Sequence, residues 1–375
     1  MKNMIYLDNA ATTIPLPDVI SAMTDTMMNV YGNPSSTYQV GRQAKKKLDE
    51  SRTSLAMSIG ATSDELIFTS GGTESNNFAL HSLAYRDVTK KHIITSVIEH
   101  PSVLNTVEEL EKKGFDVTYL PVDKSGVISI QDVKNAIRPD TSFISVMYVN
   151  NEVGTVQPIE QIAELLKDKD ILLHTDAVQA YGILPIDVKK LGADMLSVSS
   201  HKVHGPRGTG FVFVKKGVRV QPLLHGGGQE QGVRSGTENV ASIAGFAKAI
   251  SQLHLTDKQK HIVQLQETLL SELSKTEIDY EVNGSMEETR KVPTIVNVWF
   301  KGIPASKLLI QLDLSGIMVS AGSACSAGSL KPSRILLSMF QDEKRASESL
   351  RISFSEMNTL EEIKTLVETL KKYAV

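Results

Sequence analysis

The chain has 375 residues, 41% of them hydrophobic and 22% charged, a composition that suits a globular protein of about two or three domains and excludes disordered, collagen-like and coiled-coil classes. Forty Lys and Arg against 43 Asp and Glu leave a net charge of −3, without the positive excess of a nucleic-acid binder. No apolar run reaches the ~18–20 residues of a membrane span, and the opening MKNMIYLDNAATT lacks the apolar core and cleavage site of a signal peptide, so no membrane contact and a cytoplasmic location are expected.

Between about residues 65 and 215, short apolar runs alternate with helical patterns, the signature of βαβ units around a mainly parallel sheet. Strands are expected at Glu65–Thr69, His92–Ser96, Phe143–Tyr148, Ile171–His174, Met195–Ser199 and Phe211–Val214, with a helix at Ile159–Lys169. Val240–Lys275 reads as mostly helical and leads into a second unit that holds VPTIVNVWF and a C-terminal helix, Thr359–Tyr373. The expected fold is therefore α/β: a large domain with a mainly parallel sheet flanked by helices, plus a smaller α+β C-terminal domain. The expected boundaries are 16–256 for the large domain, with 1–15 and 257–375 forming the small one.

In open α/β sheets ligands bind beyond the carboxyl ends of the strands. Following each strand in turn, that edge carries Ser70-Gly71-Gly72-Thr73, then Glu99-His100-Pro101, Asn150-Asn151-Glu152, Asp176 with Gln179, and Ser199-Ser200-His201-Lys202. The run LIFTSGGTESNNFAL is a strand, a double glycine, a Thr and a helix start, the architecture of a phosphate cradle. It lacks the Lys of a Walker A loop and the spacing of a dinucleotide fingerprint; a plain turn with an N-cap Thr is the alternative. Asp176 lies two residues beyond its expected strand, where a buried acid needs a partner; it would serve either as a helix N-cap or as the partner of a pyridinium nitrogen. Lys202, between His201 and His204 and directly after an apolar strand, has a setting rare for a surface lysine and suited to a Schiff-base nucleophile. Cradle, acid and crevice lysine together point to pyridoxal 5′-phosphate.

The single cysteine, Cys325, excludes an internal disulfide and a zinc site that needs several thiolates, and no metal is expected. A lone free cysteine is commonly a buried structural thiol, but SAGSACSAGS offers no bulky side chain to anchor one in a core and fits a reactive thiol on a small-residue loop.

The motifs YLDNAATT, GNPSS, FTSGGTESNN, EHPSV, VNNEVGTVQPI, HTDAVQ, SSHKVHGPRGTG, GGGQEQGVRSGTEN and SAGSACSAGS follow one another almost end to end. In this order they resemble the cysteine desulfurases of the NifS/IscS type, within the class V aminotransferases of pyridoxal phosphate fold type I. The resemblance implies that Lys202 carries the cofactor, Asp176 pairs with its ring nitrogen, Gln179 bonds its phenolic oxygen and His100 stacks on the ring. Gly72, Thr73, Ser199, Ser200 and His201 would hold the phosphate, with Asn151 near the substrate and the phenolic oxygen and Arg351 receiving the substrate carboxylate. Thr237, on the RSGT loop, would complete the phosphate site of the neighbouring subunit in a homodimer. Cys325 would take sulfur from L-cysteine as a persulfide, leaving L-alanine, and pass it to an acceptor protein such as an iron–sulfur scaffold or a tRNA-thiolation enzyme. Another pyridoxal phosphate reaction on the same scaffold, or an idle assembly module, are the alternatives. Tyr38 and Phe354-Ser355-Glu356 depart from that family's pattern, which often has His at the first position and a Gly-Arg pair at the second.

Overall fold

The computed structural model describes residues 4–322 and 332–373. The strands, in chain order, are β1 (Ile5–Tyr6), β2 (Leu66–Thr69), β3 (His92–Ser96), β4 (Asp116–Leu120), β5 (Thr141–Ser145), β6 (Leu172–Asp176), β7 (Met195–Ser199), β8 (Gly210–Val214), β9 (Tyr280–Asn283), β10 (Ile295–Phe300), β11 (Ile317–Met318) and β12 (Ser349–Ser353). Seven of them form one sheet in the order β2-β8-β7-β6-β5-β3-β4. The pairs from β7 across to β4 are parallel, whereas β8 runs antiparallel to both β7 and β2. The mainly parallel α/β reading therefore holds, with β8 as the reversed strand.

Strands β3, β5, β7 and β8 are buried along their whole length, as expected for a sheet covered by helices on both faces. Polar side chains within it are paired across strands: His174 of β6 lies between Ser145 Oγ of β5 at 2.8 Å and Ser197 Oγ of β7 at 3.0 Å. Burial pushes the His174 imidazole down to about 3, so it acts as a neutral strut.

A second, antiparallel sheet has the order β12-β10-β9. The helices Leu255–Ser274, Ala305–Leu314 and Leu360–Tyr373 contribute Leu265, Leu308 and Leu366 to a separate buried cluster with Val298 and Ile352. Leu7 joins this cluster, and β1 pairs in parallel with β11, so the N-terminal segment packs with the C-terminal sheet. The last helix begins in a reciprocal cap, Thr359 Oγ1 accepting from Glu362 N at 3.2 Å and Glu362 Oε2 accepting from Thr359 N at 2.9 Å. Among the described residues no helix is long and apolar enough to cross a membrane.

Several boundaries differ from the sequence reading. Asp176 is the last residue of β6 rather than two residues beyond it, and the strand expected to reach Tyr148 ends at Ser145. Beyond that point Val146 N and Tyr148 N still donate to His174 and Asp176 carbonyls, but the chain turns inward toward Asn151. The helical stretch 240–275 is two helices, Val240–Ser251 and Leu255–Ser274.

Candidate active site

The carboxyl edge of the large sheet opens into a cavity of about 180 Å³. Its lining includes Gly72, Thr73, His100, Asn151, Asp176, Gln179, Ser199, His201, Lys202 and Arg351. Ten of the residues expected at a site thus meet in one place, brought there from five strand ends and, for Arg351, from the second sheet.

At one end the backbone makes a close approach. Gly71 has φ +142°, and the helix Gly72–Ala84 starts directly after it, leaving amide groups at its N-terminus directed at the cavity. A side chain at position 72 would put its Cβ 2.7 Å from Val178 Cγ2, so glycine is what lets the start of this helix pack closely against Val178. Ser199 lies beside both glycines. His201 places Nδ1 3.2 Å from Thr12 Oγ1; burial first, then the Lys202 and Arg207 charges, push its imidazole down to about 4.

Lys202 reaches in from the turn after β7. Its Nζ donates to the carbonyls of Ala10 at 2.5 Å and Ala11 at 2.7 Å, and Gln179 Nε2 donates to the same Ala10 carbonyl at 2.9 Å. The segment that follows YLD is therefore a strap that holds the lysine, stitched in turn to Ser353 Oγ and to the His201 carbonyl. Asp176 is 5% exposed; Oδ1 accepts from Val178 N at 3.0 Å and Oδ2 from Asn76 Nδ2 at 2.7 Å. The helix N-cap alternative is thus met only by a short turn, and the carboxylate lines the cavity.

His100 caps the helix Pro101–Lys112, its Nδ1 accepting from Ser102 N at 3.1 Å. Beside it Glu99 is fully buried, taking hydrogen bonds from Ser96 Oγ at 2.5 Å and Met147 N at 2.9 Å; burial outweighs these bonds and pushes its carboxyl up to about 8.

Arg351, on β12, is 1% exposed. One arm of its fork donates to Asp8 Oδ1 at 2.6 Å and the other to the Asn151 carbonyl at 3.0 Å, while Nε has no partner among the described residues. The buried Oδ1 of Asn151 is likewise unpartnered. Both atoms, without partners among the described residues, leave hydrogen-bonding capacity at the cavity wall.

Three expected residues are not part of this lining. Ser200 is buried, its Oγ without a partner among the described residues, and it is not part of the wall. Thr237 is exposed on its loop. Cys325 lies outside the described residues, but Ser333, on its C-terminal side, donates to Glu152 Oε2 at 2.5 Å, and a Cβ on Gly322, on its N-terminal side, would stand 3.5 Å from that same oxygen. Both flanks therefore approach the Glu152 carboxylate, the residue after Asn151 in the chain. The sequence reading missed the wall residues Ala10, Ala11, Asn76, Ser102, Met147, Val149 and Val178. Asn76 was within reach of it, since it follows Thr73 by three positions and so shares its helix face.

The family profile of the class-V aminotransferases matches residues 5–366. A putative cysteine desulfurase IscS 1 of Bacillus subtilis is 48% identical over 366 residues, 96% of each chain. The cysteine desulfurase IscS of Clostridium botulinum is 43% identical over 375 residues, 99% of this chain and 94% of its own. Among solved structures, a NifS-like protein superposes with a TM-score of 0.92 at 36% identity, covering 98% of both chains. A structure titled SspA in complex with cysteine gives 0.84 at 37% identity, over 95% of this chain and all of the other, 100%. The chain belongs to the class-V aminotransferase family.

Proposed function

We propose that the protein is a cytoplasmic, homodimeric cysteine desulfurase that uses pyridoxal 5′-phosphate to move the sulfur of L-cysteine onto Cys325, releasing L-alanine. The observation that carries this reading is the meeting, in one cavity, of a lysine amine, a buried carboxylate and a glycine cradle, with both flanks of the only cysteine anchored beside it. The residues fit the cofactor: the helix that starts at Gly72 leaves N-terminal amide groups at the cavity, and Asn151 and Arg351 hold buried polar atoms without a partner among the described residues. In this reading 16–256 is the cofactor-binding domain, while 1–15 and 257–375 carry Arg351 and Cys325; the separate buried cluster of the second sheet supports that division.

Lys202 would tether the cofactor, Asp176 would pair with its ring nitrogen, and Gln179 and Asn151 would hold its phenolic oxygen. Gly72, Thr73, Ser199, Ser200, His201 and, from the neighbouring subunit, Thr237 would hold the phosphate. When bound, pyridoxal phosphate supplies an electron-withdrawing ring that stabilises negative charge at the substrate α-carbon. Arg351 orients the substrate by its carboxylate, a two-point match of guanidinium and carboxylate. Lys202 Nζ would serve as the base that accepts the substrate α-proton and as the acid that gives a proton back to the product carbon. His100 Nε2 would take the proton from the substrate thiol; the Cys325 thiolate then attacks that sulfur, and the electron pair of the broken carbon–sulfur bond stays on carbon, which takes up a proton to give alanine. The Cys325 thiolate takes that sulfur as a persulfide and hands it to an acceptor protein.

Supplying L-cysteine and a thiol reductant should yield alanine and sulfide in equal amounts. Alanine without sulfide, or amino-group transfer to a keto acid in place of sulfur release, would overturn this reading in favour of a transaminase.

A further inference from the structure

A hydrogen-bond chain that the reaction above leaves unused crosses the cavity floor. Asn76 is 1% exposed, and its Nδ2 donates both to Asp176 Oδ2 at 2.7 Å and to Ser102 Oγ at 2.8 Å. A carboxylate only accepts, so the amide face toward Asp176 is the NH₂ and both of its protons are used. Ser102 Oγ in turn lies 2.8 Å from His100 Nδ1, the nitrogen that also accepts the Ser102 backbone N–H at 3.1 Å. A backbone donor there fixes Nδ1 as an acceptor, and the neutral ring then carries its proton on Nε2. Because the Ser102 oxygen receives the Asn76 proton, its own proton is directed to Nδ1. Every bond points the same way, from Asn76 through Ser102 to His100, a polarity that strengthens each member.

We propose that Asn76 and Ser102 are positioning residues that lock His100 as a neutral ring protonated at Nε2 and, through the second proton of the same amide, fix the orientation of the Asp176 carboxylate. One helix turn thereby ties together the group that would face the cofactor nitrogen and the group that would exchange the substrate proton. The catalytic importance of the lock rests on the desulfurase reading, but the lock itself does not. Among the described residues, the charged groups facing His100 include Asp176 at the end of β6, Lys202 after β7 and Arg334 at the start of the helix Arg334–Phe340. Burial, with Lys202 and Arg334, holds its imidazole below the ordinary histidine value, and Asp176 opposes them.

Nitrogen NMR of the ¹⁵N-histidine-labelled full-length protein as purified tests this, with His100→Gln to assign the signal. The native ring should show an unprotonated Nδ1 and a protonated Nε2 at neutral pH. Ser102→Ala removes a donor that stabilises the neutral ring, and Asn76→Ala frees the hydroxyl to turn round. Each should raise the His100 titration by about half to one pH unit, the equivalent of one hydrogen bond. Ser102→Thr, which keeps the hydroxyl, should restore the native curve. A proton on Nδ1 in the native protein, or a titration that falls or stays put in Ser102→Ala, would overturn the proposal. If Asn76→Ala does not fold, the Ser102→Ala and Ser102→Thr pair decides alone. An inactive protein with the expected titration would overturn the desulfurase reading only, and an active one with the opposite tautomer would overturn only the lock.

Discussion

At the scale of single residues, the chemistry was legible wherever a side chain was out of place for its type. A lysine after an apolar strand and an acid at the end of another are costly settings unless something uses them, and both Lys202 and Asp176 line the cavity. Ser102 and Asn76 were not legible, because Ser and Asn are common near helix starts for capping alone, and only their partners reveal a different use. Cys325 stood out by its neighbours, all of them small. Cys325→Ser removes the thiol that would receive sulfur, so cofactor binding and folding should be kept while persulfide transfer to an acceptor is lost. Mass spectrometry of the native protein after brief exposure to cysteine should find one added sulfur on the peptide that contains Cys325. Extra sulfur elsewhere, or full alanine production by Cys325→Ser, would remove the thiol from the mechanism.

At the scale of elements, the interior strands were legible because each is a short apolar run bounded by turn residues. The edge strand β4, Asp116–Leu120, was not, since its alternation is blurred by half-exposed positions and opens on an exposed Asp. Also invisible was the contact between elements distant in sequence that explains Glu356, one of the departures from the family pattern. Its carboxylate meets His204 Nε2 at 3.1 Å and Lys258 Nζ at 3.2 Å, joining the loop just past Lys202, the helix Leu255–Ser274 and the segment just past Arg351. Burial alone would raise the Glu356 carboxyl; the His204 bond and the Lys258 charge outweigh it and hold it at about 2. On the lysine side burial is stronger than the Glu356 attraction and lowers the ammonium, so the carboxylate is the partner that the pairing favours. A depressed carboxyl stabilises the fold above its unfolded value, and that contribution disappears as pH falls through its folded value. Glu356→Gln should therefore be less stable by about 2 kcal/mol near neutral pH, toward the lower side for a broken buried pair because Glu356 keeps some solvent contact. In denaturant titrations this deficit should shrink between about pH 4.5 and pH 2. A deficit independent of pH would show that the triad acts by packing rather than by charge.

At the scale of the whole molecule, a depression lined by Ser70, Gly71, Thr73 and Arg207 opens to the surface beside the glycine end of the site. Thr237, expected to serve the neighbouring subunit's site, is exposed on a loop held to its own subunit. Arg234 pairs with Glu74 at 2.7 Å, and Glu230 accepts from Arg52 at 2.5 Å and from Phe68 N at 2.9 Å. A loop stiffened by two ion pairs, with its Thr outward, suits delivery across a two-fold interface, where each copy gives what it receives. Mixing two defective subunits tests this directly. Lys202→Ala lacks the tether, and Thr237→Asp would set a carboxylate against the phosphate, so each homodimer should be inactive or nearly so. In the mixed dimer the Thr237→Asp subunit keeps its own Lys202 and would receive an intact Thr237 from the Lys202→Ala subunit. Tagged mixed dimers should accordingly recover roughly half of native activity, one working site in two. If Thr237 served its own subunit, neither site of the mixed dimer would be whole and no activity would return.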